Sequence, residues 1–129
     1  MADHLTATRT PDELVSFVEA LAETVRAVSA MSYDERWSAR IPCALLGDDG
    51  RCTVYEARPL RCRAFHSYSV DVCREAFTGP TEPRPDINVT LDRACDDAER
   101  GYQSALEEHG ISAESVTLEA GLLEVLTAR

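Results

Sequence analysis

The chain has 129 residues, a length typical of one domain, and its 13 basic and 23 acidic residues give a net charge of −10. Such an acidic chain is a poor match for general binding to nucleic acid or to anionic membrane surfaces, because both rely on basic patches. Hydrophobic residues make up 44 % of the sequence, so we expect a globular domain that buries a core of its own.

The part of the chain before the first cysteine is expected to be helical. Residues 1–9 are predicted to form a loose end, followed by a helix from residue 11 to about residue 30. Thr10 and Glu13 have the spacing of a capping box, and the proline between them suits the first helical position. Residues 32–40 are mostly polar and are compatible with a second, short helical turn.

Four of the five cysteines lie in one segment, residues 41–77. The gaps between them are eight, nine and ten residues, and the four are Cys43, Cys52, Cys62 and Cys73. Because no signal-peptide pattern and no membrane-spanning apolar run is visible, we expect a cytoplasmic protein. In that compartment clustered cysteines are more often metal ligands than disulfides, with redox-active thiols as the alternative.

The first pair of cysteines is separated by a turn signal. Asp48-Asp49-Gly50 would let the chain fold back, so that the sulfur atoms of Cys43 and Cys52 approach each other. Residues 53–55 are predicted to form a short strand.

The second pair is predicted to lie on helices. Pro59 is placed to start a helical turn, which would put Cys62 near a helix N-terminus, where the pKa of a thiol is lowered. A further helix is expected over residues 70–77, with Cys73 on it.

Four thiolates suit either a tetrahedral zinc ion or an iron–sulfur cluster. Structural zinc sites usually contain a close Cys-x2–4-Cys pair, which this chain lacks, so the wide spacing favours a cluster, while a single iron or zinc ion stays open. His66 is a candidate replacement ligand or a hydrogen-bond partner of a ligand, or else a surface histidine. Arg58 and Arg63 flank the Cys62 turn and would pair either with thiolate charge or with nearby carboxylates.

The C-terminal part is expected to be helical after a proline-rich connector at residues 79–85. A helix is predicted over residues 89–109, with Gly110 just beyond its end. Its apolar face is marked by Leu91, Cys95, Ala98, Tyr102 and Ala105. Cys95 is interpreted as a buried, inert cysteine that packs as a small hydrophobic residue. Ser112 is predicted to cap a last helix, with Leu118, Leu122 and Leu126 on one side.

The stretch from Pro42 to Phe65, with Cys73 beyond it, resembles the YkgJ-type cysteine-cluster family. The matching residues are Pro42-Cys43, then Cys52-Thr53-Val54-Tyr55-Glu56-Ala57-Arg58-Pro59-Leu60-Arg61-Cys62-Arg63. That family is described as a zinc- or iron-chelating domain, and the resemblance implies that Cys43, Cys52, Cys62 and Cys73 are the ligands. Family members commonly carry a further cysteine group upstream, whereas residues 1–42 contain none.

The sequence therefore predicts a mainly α-helical, small single-domain protein over residues 1–129, with an irregular metal-binding segment between its helices. The leading hypothesis is that four cysteines hold an iron–sulfur cluster, of the four-iron four-sulfur type, or a single zinc or iron ion. Its role would be structural, electron transfer or accessory. One alternative is a small iron-dependent or iron–sulfur enzyme acting on a small molecule. Another is a zinc-stapled module that binds a protein partner.

Overall fold

A computed structural model describes residues 1–79 and 87–128, with the side chain of Tyr33 excepted. These residues form seven α-helices and one short 3-10 turn at Tyr55–Ala57, and they contain no extended strand. The helices are α1 (Ala2–Thr8), α2 (Pro11–Val28), α3 (Tyr33–Ser38), α4 (Leu60–Ala64), α5 (Val70–Thr78), α6 (Val89–Glu108) and α7 (Leu118–Thr127). The predicted mainly helical class is confirmed. The predicted connector lies outside the described residues from residue 80 onward.

The chain divides into two compact units. The first contains Met1–Arg58 and Val116–Arg129, and the second contains Pro59–Ser115. A single domain over the whole chain stays a prediction. Within the described ranges, no helix is both long enough and apolar enough to cross a bilayer.

The first unit has a core of large side chains. Helix α2 packs against α7, and α1 contacts both. The core residues are Leu5, Phe17, Leu21, Leu45, Val54 and Leu122. The predicted face of α7 is confirmed, because Leu122 is buried while Leu118 and Leu126 pack beside the core.

The prediction of a loose end over residues 1–9 was wrong. Leu5 is only 1 % exposed, and burying a leucine side chain stabilises a fold by roughly 2 kcal/mol. This tertiary contact holds α1 in place, although the segment has a single large apolar residue after Met1. The guanidinium of Arg9, just beyond α1, lies 4.2 Å from the centre of the Phe17 ring and covers it.

The helix starts of the first unit follow their capping signals. The Glu13 carboxylate accepts a hydrogen bond from the Thr10 backbone N–H at 2.8 Å, and the Thr10 hydroxyl accepts one from the Glu13 N–H at 3.4 Å. The hydrogen bond from the Thr10 backbone is the main reason why the pKa of Glu13 lies below its usual value. Ser32 and Glu35 repeat this capping box at α3, which confirms the short helical turn.

The last helix begins later than predicted. Its cap is Thr117, whose hydroxyl accepts a hydrogen bond from the Ala120 N–H at 3.3 Å, whereas Ser112 lies in irregular chain. Thr117 offers the same chemistry as Ser112 and stands directly before the apolar run that packs in the core.

The second unit contains α4, α5 and α6. The side-chain oxygen of Asn88 caps α6 by accepting a hydrogen bond from the Leu91 N–H at 3.0 Å. At the other end, Gly110 has φ +71°, and the N–H groups of Gly110 and Ile111 reach the carbonyls of Glu107 and Leu106. This pattern is a Schellman motif, so the predicted end of α6 is confirmed.

Large apolar side chains are mostly on the outside of the second unit. Its buried apolar residues in the described part are Ala64, Ala76 and Cys95, all small. Its large apolar residues that are exposed include Leu60, Phe65, Tyr68, Val70, Phe77, Val89, Leu91, Tyr102 and Ile111. Of the predicted apolar face of α6, only Cys95 is buried.

Gly101, inside α6, and Gly110, just beyond its C-terminal end, provide a matched pair of stability tests. Gly110→Ala should lower the free energy of unfolding by about 1–2 kcal/mol, because alanine is strained in the left-handed conformation. Gly101→Ala lies mid-helix with open space where its Cβ would be, and should raise that free energy by about 0.5–1 kcal/mol. Urea unfolding of both variants measures this, and equal effects would contradict the Schellman end of α6.

Candidate metal centre

All five cysteines lie in the described part of the chain, and no disulfide joins any two of them. Cys43 and Cys52 belong to the first unit, and Cys62 and Cys73 belong to the second. Cys43 is exposed as a residue, while Cys52, Cys62 and Cys73 are half-buried.

The loop between Cys43 and Cys52 is a tight reversal of the chain. Gly50, at φ +73°, donates its N–H to the carbonyl of Gly47 at 2.8 Å, and Gly47 donates to the carbonyl of Arg51 at 2.8 Å. Leu46 and Cys52 then form an isolated antiparallel bridge. The predicted turn is therefore confirmed, and it returns Cys52 to the neighbourhood of Cys43.

Core residues anchor this loop on both sides. Leu45 is 3 % exposed and Val54 is 1 % exposed. The Leu45 carbonyl accepts hydrogen bonds from both the N–H and the hydroxyl of Thr53, each at 2.9 Å. The strand predicted over residues 53–55 was wrong: in the described part of the chain the isolated bridge ends at Cys52, Thr53 adds only its hydrogen bonds to Leu45, and the chain then turns into the 3-10 helix at Tyr55.

The thiol of Cys43 has an environment that favours its protonated form. Burial raises the pKa of Cys43, and the negative charges of Glu119 and of a Cys52 thiolate raise it further. The backbone N–H of Leu45 and the guanidinium of Arg36 act in the opposite direction. The two cysteines flank the same reversal of the chain, because the Leu46 N–H donates to the Cys43 carbonyl at 3.0 Å and Leu46 pairs with Cys52.

The buried carboxylate beside Cys43 was missed by sequence reasoning. Glu119, in the first turn of α7, is 5 % exposed and its Oε1 lies 2.5 Å from Nη2 of Arg36 on α3. The two residues are 83 positions apart, and no local pattern in the sequence links them.

Cys62 lies on a short helix that packs against α6. It is the third residue of α4, directly after Pro59 as the N-cap, so the predicted helical turn is confirmed. Helix α4 packs against α6, and its neighbouring residue Arg61 forms ion pairs with three acidic residues of α6. These are Asp92 at 3.1 Å, Glu99 at 2.9 Å, and Asp96.

The three carboxylates hold Arg61 firmly as a cation. The hydrogen bond to Asp96 is the main reason why the pKa of Arg61 is raised, and the charges of Glu99 and Asp96 add to it. The sequence does carry a signal for this cluster, since acidic residues recur at i, i+4 and i+7 on one face of α6.

Cys73 lies on α5, as predicted. The Ser69 hydroxyl caps this helix by accepting a hydrogen bond from the Val72 N–H at 3.3 Å, and the Cys73 N–H donates to the Ser69 carbonyl at 3.1 Å. Next to it, Arg74 pairs with Asp71 at 3.0 Å across one helical turn.

The residues predicted as additional or neighbouring ligands have other contacts. His66 is exposed, and its ring meets the ring of Tyr68 edge-on at 5.9 Å between centres. Its backbone carbonyl accepts a hydrogen bond from the Asn88 N–H at 2.8 Å. The guanidinium of Arg58 lies 3.6 Å from the centre of the Tyr55 ring. Arg63 is exposed on α4.

In neither unit does the described part of the chain gather three His, Cys, Asp or Glu side chains in a group that could hold a metal ion. The structure places Cys43 and Cys52 on either side of one tight turn. Thiols are ligands that both zinc and iron–sulfur clusters accept, so the donor chemistry fits either group. The complete four-cysteine ligand set stays a prediction.

The prediction that Cys95 is buried is confirmed, since it is 4 % exposed. Burial raises the pKa of Cys95, and the charge of Glu99, whose Oε1 lies 3.8 Å from the sulfur, raises it further. A protonated, buried thiol is a poor nucleophile.

Searches for a matching family model, for similar curated proteins and for similar solved structures each found no match.

We expect Cys95 to be protected from alkylation in the folded protein. Because the thiol is buried and its pKa is raised, less of it is thiolate at any pH near neutrality, and its labelling by iodoacetamide should be slower than that of an ordinary cysteine. In denaturant the labelling should match that of an ordinary cysteine. Mass spectrometry of the Cys95 peptide measures both rates, and equal rates in the two states would contradict its burial.

Arg61→Met should loosen α4 from α6. The three acidic residues would lose their shared cation and repel one another. We expect the free energy of unfolding to fall by about 1 kcal/mol, because a network of ion pairs contributes more stability than a single surface pair. Arg74→Met, which removes one exposed i,i+3 pair, is the control and should change stability by less than about 0.5 kcal/mol. Hydrogen exchange of the α4 amides measures the effect, and equal exchange in both variants would contradict it.

Proposed function

We propose that this protein binds a zinc ion, an iron ion or an iron–sulfur cluster through the thiolates of Cys43, Cys52, Cys62 and Cys73. The proposed role is structural, with electron transfer as the further role if the bound group is a cluster. The observation that carries the structural role is the small core of the second unit, whose buried apolar residues, among those that the structure describes, are Ala64, Ala76 and Cys95.

Apolar burial and a bound metal are two sources of stability for the second unit. Burying one methylene group contributes about 0.8 kcal/mol, so the two alanines and the cysteine that are fully buried in the described part of this unit contribute little by themselves. A structural zinc ion can contribute ~10–16 kcal/mol of apparent folding free energy. Cys62 and Cys73, half-buried on two different helices of this unit, are suited to link those helices through a shared metal.

The Cys43–Cys52 pair adds two donors from a well-anchored loop. Leu45 and Val54 fix the loop in the core of the first unit, so these two thiols are positioned before metal arrives and lose little conformational entropy on binding. An iron–sulfur cluster would supply one-electron chemistry, and a zinc ion would supply structural bonds alone.

The first test is the metal content of protein purified without oxygen, together with its visible spectrum. We expect either iron with acid-labile sulfide and a broad visible absorbance, or about one colourless zinc per chain. Protein that takes up neither metal, even after reconstitution with iron and sulfide or with zinc, would contradict the proposal.

Paired variants test the ligand set. If four thiols share one site, Cys43→Ser/Cys52→Ser and Cys62→Ser/Cys73→Ser should each weaken metal binding by more than about tenfold. Cys95→Ser is the matched control and should load fully. Full loading by one of the two double variants would confine binding to the remaining pair and contradict a four-cysteine site.

Removing the metal separates the structural role from the binding itself. Metal-free wild-type protein should exchange the amide hydrogens of α4, α5 and α6 faster, while those of α2 and α7 stay protected by the core of the first unit. Unchanged exchange in the second unit would leave metal binding intact but exclude the structural role.

A further inference from the structure

Helix α6 exposes an apolar stripe along most of its length. The stripe consists of Leu91, Ala94, Ala98, Tyr102 and Ala105, which recur at i, i+3, i+7, i+11 and i+14. Leu91 is 42 % exposed and Tyr102 is 67 % exposed, and the three alanines are exposed as well. At 1.5 Å per residue, the stripe is about 21 Å long.

The stripe is separate from the face of α6 that packs against α4. The contact with α4 uses Asp92, Asp96 and Glu99, which pair with Arg61. At 100° of rotation per residue, these acidic residues lie roughly 100–160° around the helix from the centre of the stripe. Isolated exposed apolar residues are ordinary, whereas a continuous stripe on one helix indicates an interaction surface.

The charge of α6 narrows the choice of partner. The helix carries six acidic residues and two arginines, a net charge of −4. Asp97 and Glu108 lie along the open side of the stripe, and Asp97 shares its charge with Arg100. A second copy of this helix or an anionic membrane would bring like charges together, and both are therefore disfavoured.

We infer that the α6 stripe docks an amphipathic helix with basic flanks, supplied by a partner protein. The apolar side of that helix would cover Leu91 and Tyr102, and the small side chains of Ala94, Ala98 and Ala105 would let the two backbones come close. Its basic residues would meet the acidic flanks of α6. A helix that docks on another helix in this way contacts it through anchor residues at i, i+3, i+4 and i+7. The proposed docking does not depend on the proposed metal site.

The probe is a synthetic leucine–lysine peptide that forms an amphipathic helix, and its control is a leucine–glutamate peptide of the same pattern. Calorimetric titration of the full chain should show binding of the lysine peptide only. Amide chemical shifts on α6 between residues 91 and 105 should move on binding. Equal binding of the glutamate peptide, or shift changes centred elsewhere, would overturn the proposal.

Two charge-matched variants separate apolar docking from simple attraction. Ala98→Glu places a carboxylate on the stripe and should weaken peptide binding by about tenfold or more, which corresponds to about 1.4 kcal/mol. Ser104→Glu adds the same charge away from the stripe and should leave binding within about twofold of wild type. Binding that is unchanged or tighter in both variants would show attraction by charge alone and overturn the proposal.

The stripe variants also test the two alternative partners, a second copy of the chain and an anionic membrane. Tyr102→Ala, which leaves the charge unchanged, should also weaken binding, and circular dichroism of each variant should match that of the wild type. If the wild-type chain self-associates and Ala98→Glu abolishes this self-association, the stripe is instead assigned to a second copy of the chain. If the wild-type chain binds anionic vesicles and Ala98→Glu abolishes that binding, the stripe is assigned to a membrane.

Discussion

In the described part of the second unit, the burial of large side chains contributes little to stability. The buried apolar residues there are Ala64, Ala76 and Cys95, whereas the first unit buries Phe17 and several leucines. Conformational entropy costs about 1–2 kcal/mol for each ordered residue, so a unit with so little apolar burial depends on directional contacts. The caps of its helices, the Schellman end of α6 and the ion pairs of Arg61 are such contacts.

Arg61 shows why an ion-pair cluster matters more here than in an ordinary domain. A single exposed ion pair contributes little, because water screens it and two long side chains must be ordered. Arg61 meets three carboxylates that α6 already holds on one face, so one side chain is ordered for three interactions. The same contact fixes α4, and with it the backbone position of Cys62.

Local signals predicted the elements whose stability is local. The capping box at Thr10 and Glu13 and the glycine at the end of α6 are backbone chemistry within a few residues, and both predictions were confirmed. The reversal at residues 48–50 was also predicted, because it needs only a residue that tolerates φ above zero. The apolar face predicted for α6 has five residues, of which only Cys95 is buried, because whether such a face is covered is a tertiary property that periodicity does not encode.

Predictions failed where distant contacts decide. Leu5 orders α1 through burial in a core built from residues far along the chain. Residues 53–55 form no strand because, in the described part of the chain, the pairing with residues 45–46 stops after Thr53 and the chain turns into a 3-10 helix. Glu119 and Arg36 are likewise distant in sequence and adjacent in space. The spacing of the cysteines has the same limit. It indicates thiol chemistry, and the turn between Cys43 and Cys52 predicts that these two residues lie near each other. The number of thiols that would share one ion depends on tertiary structure. The proposed metal would stabilise the second unit most by linking the half-buried cysteines of α4 and α5, because the described part of that unit has the smaller apolar core.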